Sequence, residues 1–101
     1  NGIKVLLQDM GEQEYEKHEM HVLLMEAVGM LKDPDQKFVV IKRLQGYNSK
    51  DIALLLQKRW EKHNIVKYNN KKQMVVPDAA YVDVRMQRAK DNLEIILKKV
   101  L

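Results

Sequence analysis

Three conformational breaks divide the sequence into segments in which apolar residues recur every three or four positions. The first break is Asp33-Pro34, because the residue before a proline avoids the helical region and the proline suits the first turn of a helix. Gly46 and Pro77 are the other two breaks. We therefore expect an all-α domain of four amphipathic helices, over about residues 12–31, 34–44, 48–63 and 79–101.

The apolar positions of these segments are the predicted core. Those of the first two helices are Tyr15, Met20, Val22, Leu23, Met25, Ala27, Val28, Met30, Phe38, Val39, Ile41 and Leu44. Those of the last two are Ile52, Ala53, Leu55, Leu56, Trp60, Val82, Met86, Ala89, Leu93, Ile96 and Val100. The helical spacing predicts that each helix buries one face. Asn48 and Asp78 are the predicted N-caps of the third and fourth helices.

Residues 58–76 are an inserted segment, which comprises the end of the third helix and the residues that follow it. Within it, β-prone residues flank the pair Asn69-Asn70, which tolerates positive φ, so residues 65–76 are predicted to form a β-hairpin. An isolated hairpin is only marginally stable in water. This one is expected either to become ordered only on binding or to rest on the helices through Ile65, Tyr68, Met74 or Val76.

The start of the chain and its composition bear on where the protein works. Residues 1–11 show no clear pattern and are assigned to an N-terminal remainder or linker, which leaves residues 12–101 as the domain. The first residue is Asn and no signal peptide follows, so we expect a fragment of a longer protein. The absence of Cys, and of any apolar run near the ~20 residues that span a bilayer, favours a cytoplasmic protein that does not enter a membrane.

Charge is distributed unevenly along the chain. Residues 1–36 hold three Lys and eight Asp or Glu, a net charge of −5, whereas residues 37–101 hold fifteen Lys or Arg and six acids, a net charge of +9. A region this basic suits a polyanion, because neutralising phosphates releases condensed counterions. A basic surface without a specific partner is the alternative.

No motif in the sequence indicates catalysis. Neither a Ser-His-Asp order nor a glycine-rich phosphate loop appears. Glu14, His18 and His21 have a spacing that could hold a metal, but plain surface residues on an acidic helix are the simpler interpretation. We therefore expect neither an enzyme nor a cofactor.

Two stretches match the halves of a helix-turn-helix, with the insertion in place of the usual short turn: Phe38 to Ala53 and Tyr81 to Lys90. Their distinctive residues are Leu44-Gln45-Gly46-Tyr47-Asn48, Lys50-Asp51-Ile52-Ala53, Val82, Arg85, Arg88 and Ala89. In this order they resemble region 4 of sigma-70 family RNA polymerase sigma factors, most of all the extracytoplasmic-function type, over roughly residues 20–101. The resemblance implies a bacterial transcription domain that recognises the promoter −35 element in double-stranded DNA and contacts the β-subunit flap of RNA polymerase. An anti-sigma factor is a further partner that it suggests.

The predicted DNA contacts lie on the third helix, the insertion and the last helix: Ser49, Lys50, Lys71, Lys72, Ala79, Ala80, Tyr81, Asp83, Arg85 and Arg88. Arg85 suits a bidentate guanine contact and Arg88 a phosphate contact, unless either pairs with Asp83 or Asp91 on the surface. Small residues at the start of the last helix let it approach DNA closely. Asp83 departs from the family pattern and is either a specificity element or a filter against other sequences.

Three alternatives fit the same residues. The basic insertion is either a wing that reaches a flanking phosphate or a decoration exposed to solvent. The whole domain is alternatively a sigma-like protein-interaction module that binds polymerase or an anti-sigma regulator through its acidic first helix. An unrelated helix-turn-helix regulator, such as a response-regulator output domain, is the remaining possibility.

Overall fold

The computed structural model of the chain describes residues 17–100. Its four α-helices are α1 (Lys17–Gly29), α2 (Pro34–Leu44), α3 (Ser49–Lys62) and α4 (Ala79–Val100). No β-strand forms within that range, so the predicted all-α class is confirmed. None of the described helices combines the length and the hydropathy that crossing a membrane requires. The predicted start of the first helix at residue 12 lies outside the described residues.

The predicted breaks set the boundaries of α2. Asp33 caps its first turn, because the Asp33 carboxylate accepts hydrogen bonds from the backbone N–H of Asp35 at 2.8 Å and of Gln36 at 3.3 Å. The helix terminates before Gly46, whose φ of +99° is a left-handed conformation that glycine adopts without a steric penalty. Local sequence therefore fixes both ends of this helix.

The predicted caps of α3 and α4 are also present. The Asn48 side chain accepts from the backbone N–H of Asp51 at 2.9 Å, and the Asp78 carboxylate accepts from that of Tyr81 at 2.8 Å. The C-terminal end of α3 turns at Asn64, which has a φ of 54°. Both helices begin where the sequence predicts them.

The long helix α4 packs against the other three helices and encloses the core with them. The largest fully buried side chains are Leu24, Val28, Val39, Val40, Ile52, Leu56, Val82 and Leu93. The predicted core positions Ala53, Trp60, Met86 and Ala89 are buried as well. On α4 the buried stripe continues to Leu97, whereas Ile96 is only half-buried.

Three predicted core residues of α1 are exposed, so this part of the prediction is wrong. Val22, Met25 and Met30 are 41%, 38% and 55% exposed. The predicted Met20, Ala27 and Val28 are buried, together with Leu24 and, beyond the end of the helix, Leu31. The predicted apolar positions extend around more than one face, and packing against α4 decides which of them are covered. In α2, the packing likewise buries Val39 and Val40 and leaves Phe38, Ile41 and Leu44 half-buried.

The connector between α3 and α4, residues 63–78, contains one isolated antiparallel bridge between Tyr68 and Met74. The predicted β-hairpin is therefore not confirmed. Of the four residues expected to rest on the helices, Ile65 packs against the core, and Tyr68, Met74 and Val76 are exposed. Val75 supplies the second core contact.

The pairing of α3 and α4 bears on the predicted helix-turn-helix. The two helices are packed neighbours, as that motif requires. The connector that joins them is much longer than the usual three or four residues. The motif itself remains a prediction.

Candidate nucleic-acid interface

The first half of α4 has one face in the core and one face outside the domain. Val82, Met86 and Ala89 point into the core. Ala80 and Val84 are exposed on the opposite side, as are Asp83, Gln87 and Arg88. The helix therefore offers an outer surface with small, apolar and basic side chains and one carboxylate, that of Asp83.

A buried carboxylate fixes the base of this helix. Asp35 is only 2% exposed, and it lies in the first turn of α2. Its carboxylate accepts hydrogen bonds from Trp60 Nε1 at 3.1 Å, Lys67 Nζ at 2.8 Å and the Tyr81 hydroxyl at 3.0 Å. The donors come from α3, the connector and α4, so one carboxylate joins four parts of the chain.

The surroundings of Asp35 keep this network in its ionised, fully bonded form. Burial by itself raises the pKa of the Asp35 carboxyl, but the hydrogen bonds from Lys67, Trp60 and Tyr81 outweigh burial, and the pKa is lowered. For the Lys67 ammonium, burial by itself lowers the pKa. The hydrogen bond to Asp35 and the negative charge of its carboxylate outweigh burial, and the pKa of Lys67 is raised. The pKa of Tyr81 is raised, first by burial and then by the nearby carboxylate, despite the opposing effect of Arg85. All three groups therefore keep the protonation states that the network needs near neutral pH.

Tyr81, held in this way, also restricts the position of the Arg85 side chain. The Arg85 guanidinium lies 4.3 Å from the centroid of the Tyr81 ring, a cation–π contact. The ring of Tyr81 in turn meets Trp60 edge to face, with centroids 5.6 Å apart. Because Tyr81 is held at its ring and at its hydroxyl, it is a firm platform that restricts the orientations of Arg85.

Ser49 and Asp83, predicted as separate DNA contacts, touch each other. The Ser49 hydroxyl donates to the Asp83 carboxylate and accepts from Arg43 Nη2 at 2.6 Å. This chain of three side chains links the end of α2, the start of α3 and the first turns of α4. Asp83 thus has a structural partner, and its predicted role as a specificity element remains a prediction.

An open groove of about 460 Å³ lies between the connector and the outer face of α4. Its lining consists of Asn69, Met74, Val75, Val76, Asp78, Ala80, Tyr81, Val84, Arg85 and Arg88. The predicted contacts Ala80, Tyr81, Arg85 and Arg88 are therefore brought together on one side of the molecule. Ala79, Lys50, Lys71 and Lys72 do not line the groove, and the last three are exposed.

The described side chains do not form the alternative arrangement, in which Arg85 or Arg88 pairs with a neighbouring aspartate. Asp83 binds Ser49, and Asp91 accepts from Gln87 Nε2 at 3.2 Å. Within residues 19–99, neither Arg85 nor Arg88 forms an ion pair with either carboxylate. Neither carboxylate therefore neutralises the charge of these two arginines.

Sequence reasoning missed Asp35 and Val84. In the sequence, Asp35 looks like an ordinary acidic residue in the first turn of a helix. Its importance comes from hydrogen-bond donors that are far away in the sequence. One signal was present: Trp60 and Tyr81 both have a polar group on an apolar ring, and such groups need an acceptor when they are buried. Val84 falls between core positions and has no sequence signal of its own.

Of the three residues whose spacing could hold a metal, Glu14 and the side chain of His18 lie outside the described residues. His21 is exposed. Among the side chains that the structure describes, no group of three or more His, Cys, Asp or Glu could hold a metal ion.

Comparisons of the chain with protein-family models, with curated proteins and with solved structures find no match.

Proposed function

We propose that this domain binds double-stranded DNA sequence-specifically, with the first half of α4 in the major groove. By its resemblance to sigma-70 region 4, it would serve as the −35-recognition domain of an alternative sigma factor in the bacterial cytoplasm. One observation supports this proposal most. The outer face of α4 presents two arginines without acidic partners among the described side chains, next to small residues, and a buried network braces it from behind.

The side chains on this face suit the edges of base pairs. Arg85 is stacked on Tyr81, so its planar fork loses little freedom when it binds guanine O6 and N7. Val84 can meet a thymine methyl group, and Ala80 leaves room for the helix start to approach the DNA. Arg88 lies one turn further along and is more exposed, which suits a phosphate.

The charge distribution supports the same orientation. The net charge of +9 in residues 37–101 includes α3, the connector and α4, whereas the charge of −5 belongs to residues 1–36. Phosphates are therefore attracted to the part of the chain that contains α4 rather than to residues 1–36.

Selection from a random duplex pool, followed by titration of the selected duplex at several salt concentrations, tests this function. We expect clear preference for one sequence and a steep loss of affinity with salt. Arg85→Ala should weaken binding to the selected duplex by about 1–3 kcal/mol and relax the preference for one base pair. Arg88→Ala should weaken all duplexes about equally.

Arg85→Lys is the matched control for charge and folding. It keeps the positive charge beside Tyr81 but lacks the bidentate fork, so specificity should fall while the salt dependence stays close to that of the wild type. Equal, weak binding of the wild type to every duplex would reject the proposal.

A protein-interaction function is the second candidate, because α1 exposes an acidic and apolar stripe. Glu19, Val22 and Glu26 share one face of the helix, next to the exposed Met25. This surface suits a basic partner with apolar contacts, such as the flap of RNA polymerase. If Glu19→Lys with Glu26→Lys abolished binding to core polymerase, and the wild type bound no DNA, this function would replace the first.

A further inference from the structure

We propose that the connector is a second, preformed DNA contact. Its Lys71 and Lys72 bind the phosphate backbone beside the DNA major groove that α4 enters. This inference rests on the proposed function and adds a partner site to it. The connector has no counterpart in a tight helix-turn-helix, where only a few residues join the two helices. Its contribution can therefore be measured separately from that of α4.

The connector is held in place at both ends and in the middle. Ile65 and Val75 pack against the core. Lys67 Nζ donates to the buried Asp35 carboxylate, and the Gln57 side-chain amide donates to the carbonyl of Pro77. Binding DNA would then not require the ordering of a free loop, which lowers the entropic cost of the contact.

These contacts divide the lysines of the connector into two groups. The charge of Lys67 is already neutralised by Asp35. Lys71 and Lys72 are exposed, and their ammonium groups have no partner among the described side chains. Only these two lysines of the connector are available to a polyanion.

The tip that carries them is an ordered turn. The Asn69 side chain accepts from the backbone N–H of Lys71 at 2.9 Å and of Gln73 at 3.0 Å. The backbone N–H of Lys72 donates to the Asn69 carbonyl at 2.9 Å. These bonds fix the backbone from which both lysine side chains project.

The backbone conformation of Lys72 is a second, independent observation. Its φ of 62° lies in the left-handed region, where Gly or Asn fits with less strain than a long side chain. The turn nevertheless holds a lysine there, with an asparagine two residues earlier that is not at positive φ. Backbone positions of this kind cluster at functional sites.

The tip and the reading face of α4 lie on the same side of the domain. Asn69, at the base of the tip, lines the groove together with Ala80, Val84 and Arg88. A duplex that receives α4 in its major groove would therefore have a phosphate strand on the connector side. Charge complementarity selects this strand, rather than an apolar partner, as the occupant.

The test compares two double variants that each remove two positive charges. Lys71→Gln with Lys72→Gln removes the proposed contacts, and Lys98→Gln with Lys99→Gln removes exposed lysines at the far end of α4. Each phosphate contact contributes about 0.9 to the slope of log affinity against log salt. The connector variant should reduce that slope by about 1.8 and weaken selected and unrelated duplexes by the same factor, on the order of tenfold. The control variant should keep the wild-type slope.

Lys72→Gly separates a loss of contact from a loss of fold. Glycine relieves the left-handed backbone, so the melting temperature should stay equal or rise while the salt slope falls by about half as much as in the double variant. A connector variant with the slope of the control, in a protein whose wild type binds one duplex specifically, overturns this inference and leaves the proposed function intact. A loss confined to the selected duplex would mean that the lysines read bases, and it also overturns the inference. A wild type without any duplex preference removes both proposals.

Discussion

Two side-chain hydrogen bonds hold the first turns of α4 to the rest of the domain, and they differ in burial. The inner tie is the hydrogen bond from the Tyr81 hydroxyl to the buried Asp35, and the outer tie is the one from the Ser49 hydroxyl to Asp83 at the surface. A hydrogen bond to a desolvated carboxylate is strong, and its loss leaves buried polar groups unpaired. Water competes for the groups of an exposed bond, so its loss matters little. One helix is therefore held firmly on its core side and loosely on its outer side.

Asp35→Ala should give the largest effect, because it removes the acceptor from the inner tie. The variant leaves Trp60 Nε1 and the Tyr81 hydroxyl without a partner and Lys67 without a counter-charge. We expect the free energy of unfolding in urea to fall by about 3–5 kcal/mol.

Asp51→Ala is the matched control, since Asp51 is also an aspartate in the first turn of its helix but is exposed. It should lower the free energy of unfolding by less than about 1 kcal/mol. Similar losses for the two variants would contradict the idea that depth separates the ties.

Tyr81→Phe removes one donor of the inner tie and keeps the ring that contacts Trp60 and Arg85. The expected loss of unfolding free energy is about 1.5–3 kcal/mol, the range for a hydrogen bond to a charged group. Tyr68→Phe, at an exposed tyrosine of the connector, should change it by less than about 0.5 kcal/mol. Thermal melts followed by circular dichroism measure both.

Acid should weaken the inner tie through Asp35. Its pKa in the folded chain lies below the ordinary value of 3.8, so the unfolded chain takes up the proton first. The stabilisation is therefore complete well above pH 3.8 and declines as the pH falls through that value towards the lowered pKa. The effect is modest, because burial opposes the hydrogen bonds in setting the shift.

Urea unfolding of the wild type and of Asp35→Asn between pH 7 and pH 2.5 measures this contribution. The difference in stability between the two proteins should shrink as the pH falls. A difference that grows in acid would show that Asp35 prefers to be protonated in the folded chain.

Among the variants that break a tie, Ser49→Ala should give the smallest effect, because it breaks the outer one. We expect a loss of unfolding free energy below about 1 kcal/mol, since Arg43 and Asp83 can both turn to water. A loss greater than that of Tyr81→Phe would reverse the comparison between the ties.

The helix ends could be predicted from sequence because each depends on neighbouring residues. Asn48, Asp78 and Gly46 act within a few positions of themselves, and the structure confirms all three. The buried face of α1 could not be predicted in the same way. Val22 and Val28 both belong to apolar stripes, and the contact with α4 selects between them.

The candidate site likewise has a part that local spacing predicts and a part that depends on distant residues. The spacing of Tyr81, Arg85 and Arg88 on one helix predicts that they meet, and they line one groove. The role of Asp35 depends on donors 25, 32 and 46 residues away, so no local pattern could reveal it. Contacts of that separation are decided by the packing of the whole domain.

The length of the connector has a consequence for chain entropy. Sixteen residues join α3 to α4, about four times the usual short turn. Each doubling of a loop raises its closure cost by only about 0.6 kcal/mol, so the longer link adds about 1.2 kcal/mol. The hydrogen bond from Lys67 to Asp35 offsets a cost of that size by itself. The connector can therefore change in length while the packing of the four helices stays the same, provided that Lys67 still reaches Asp35.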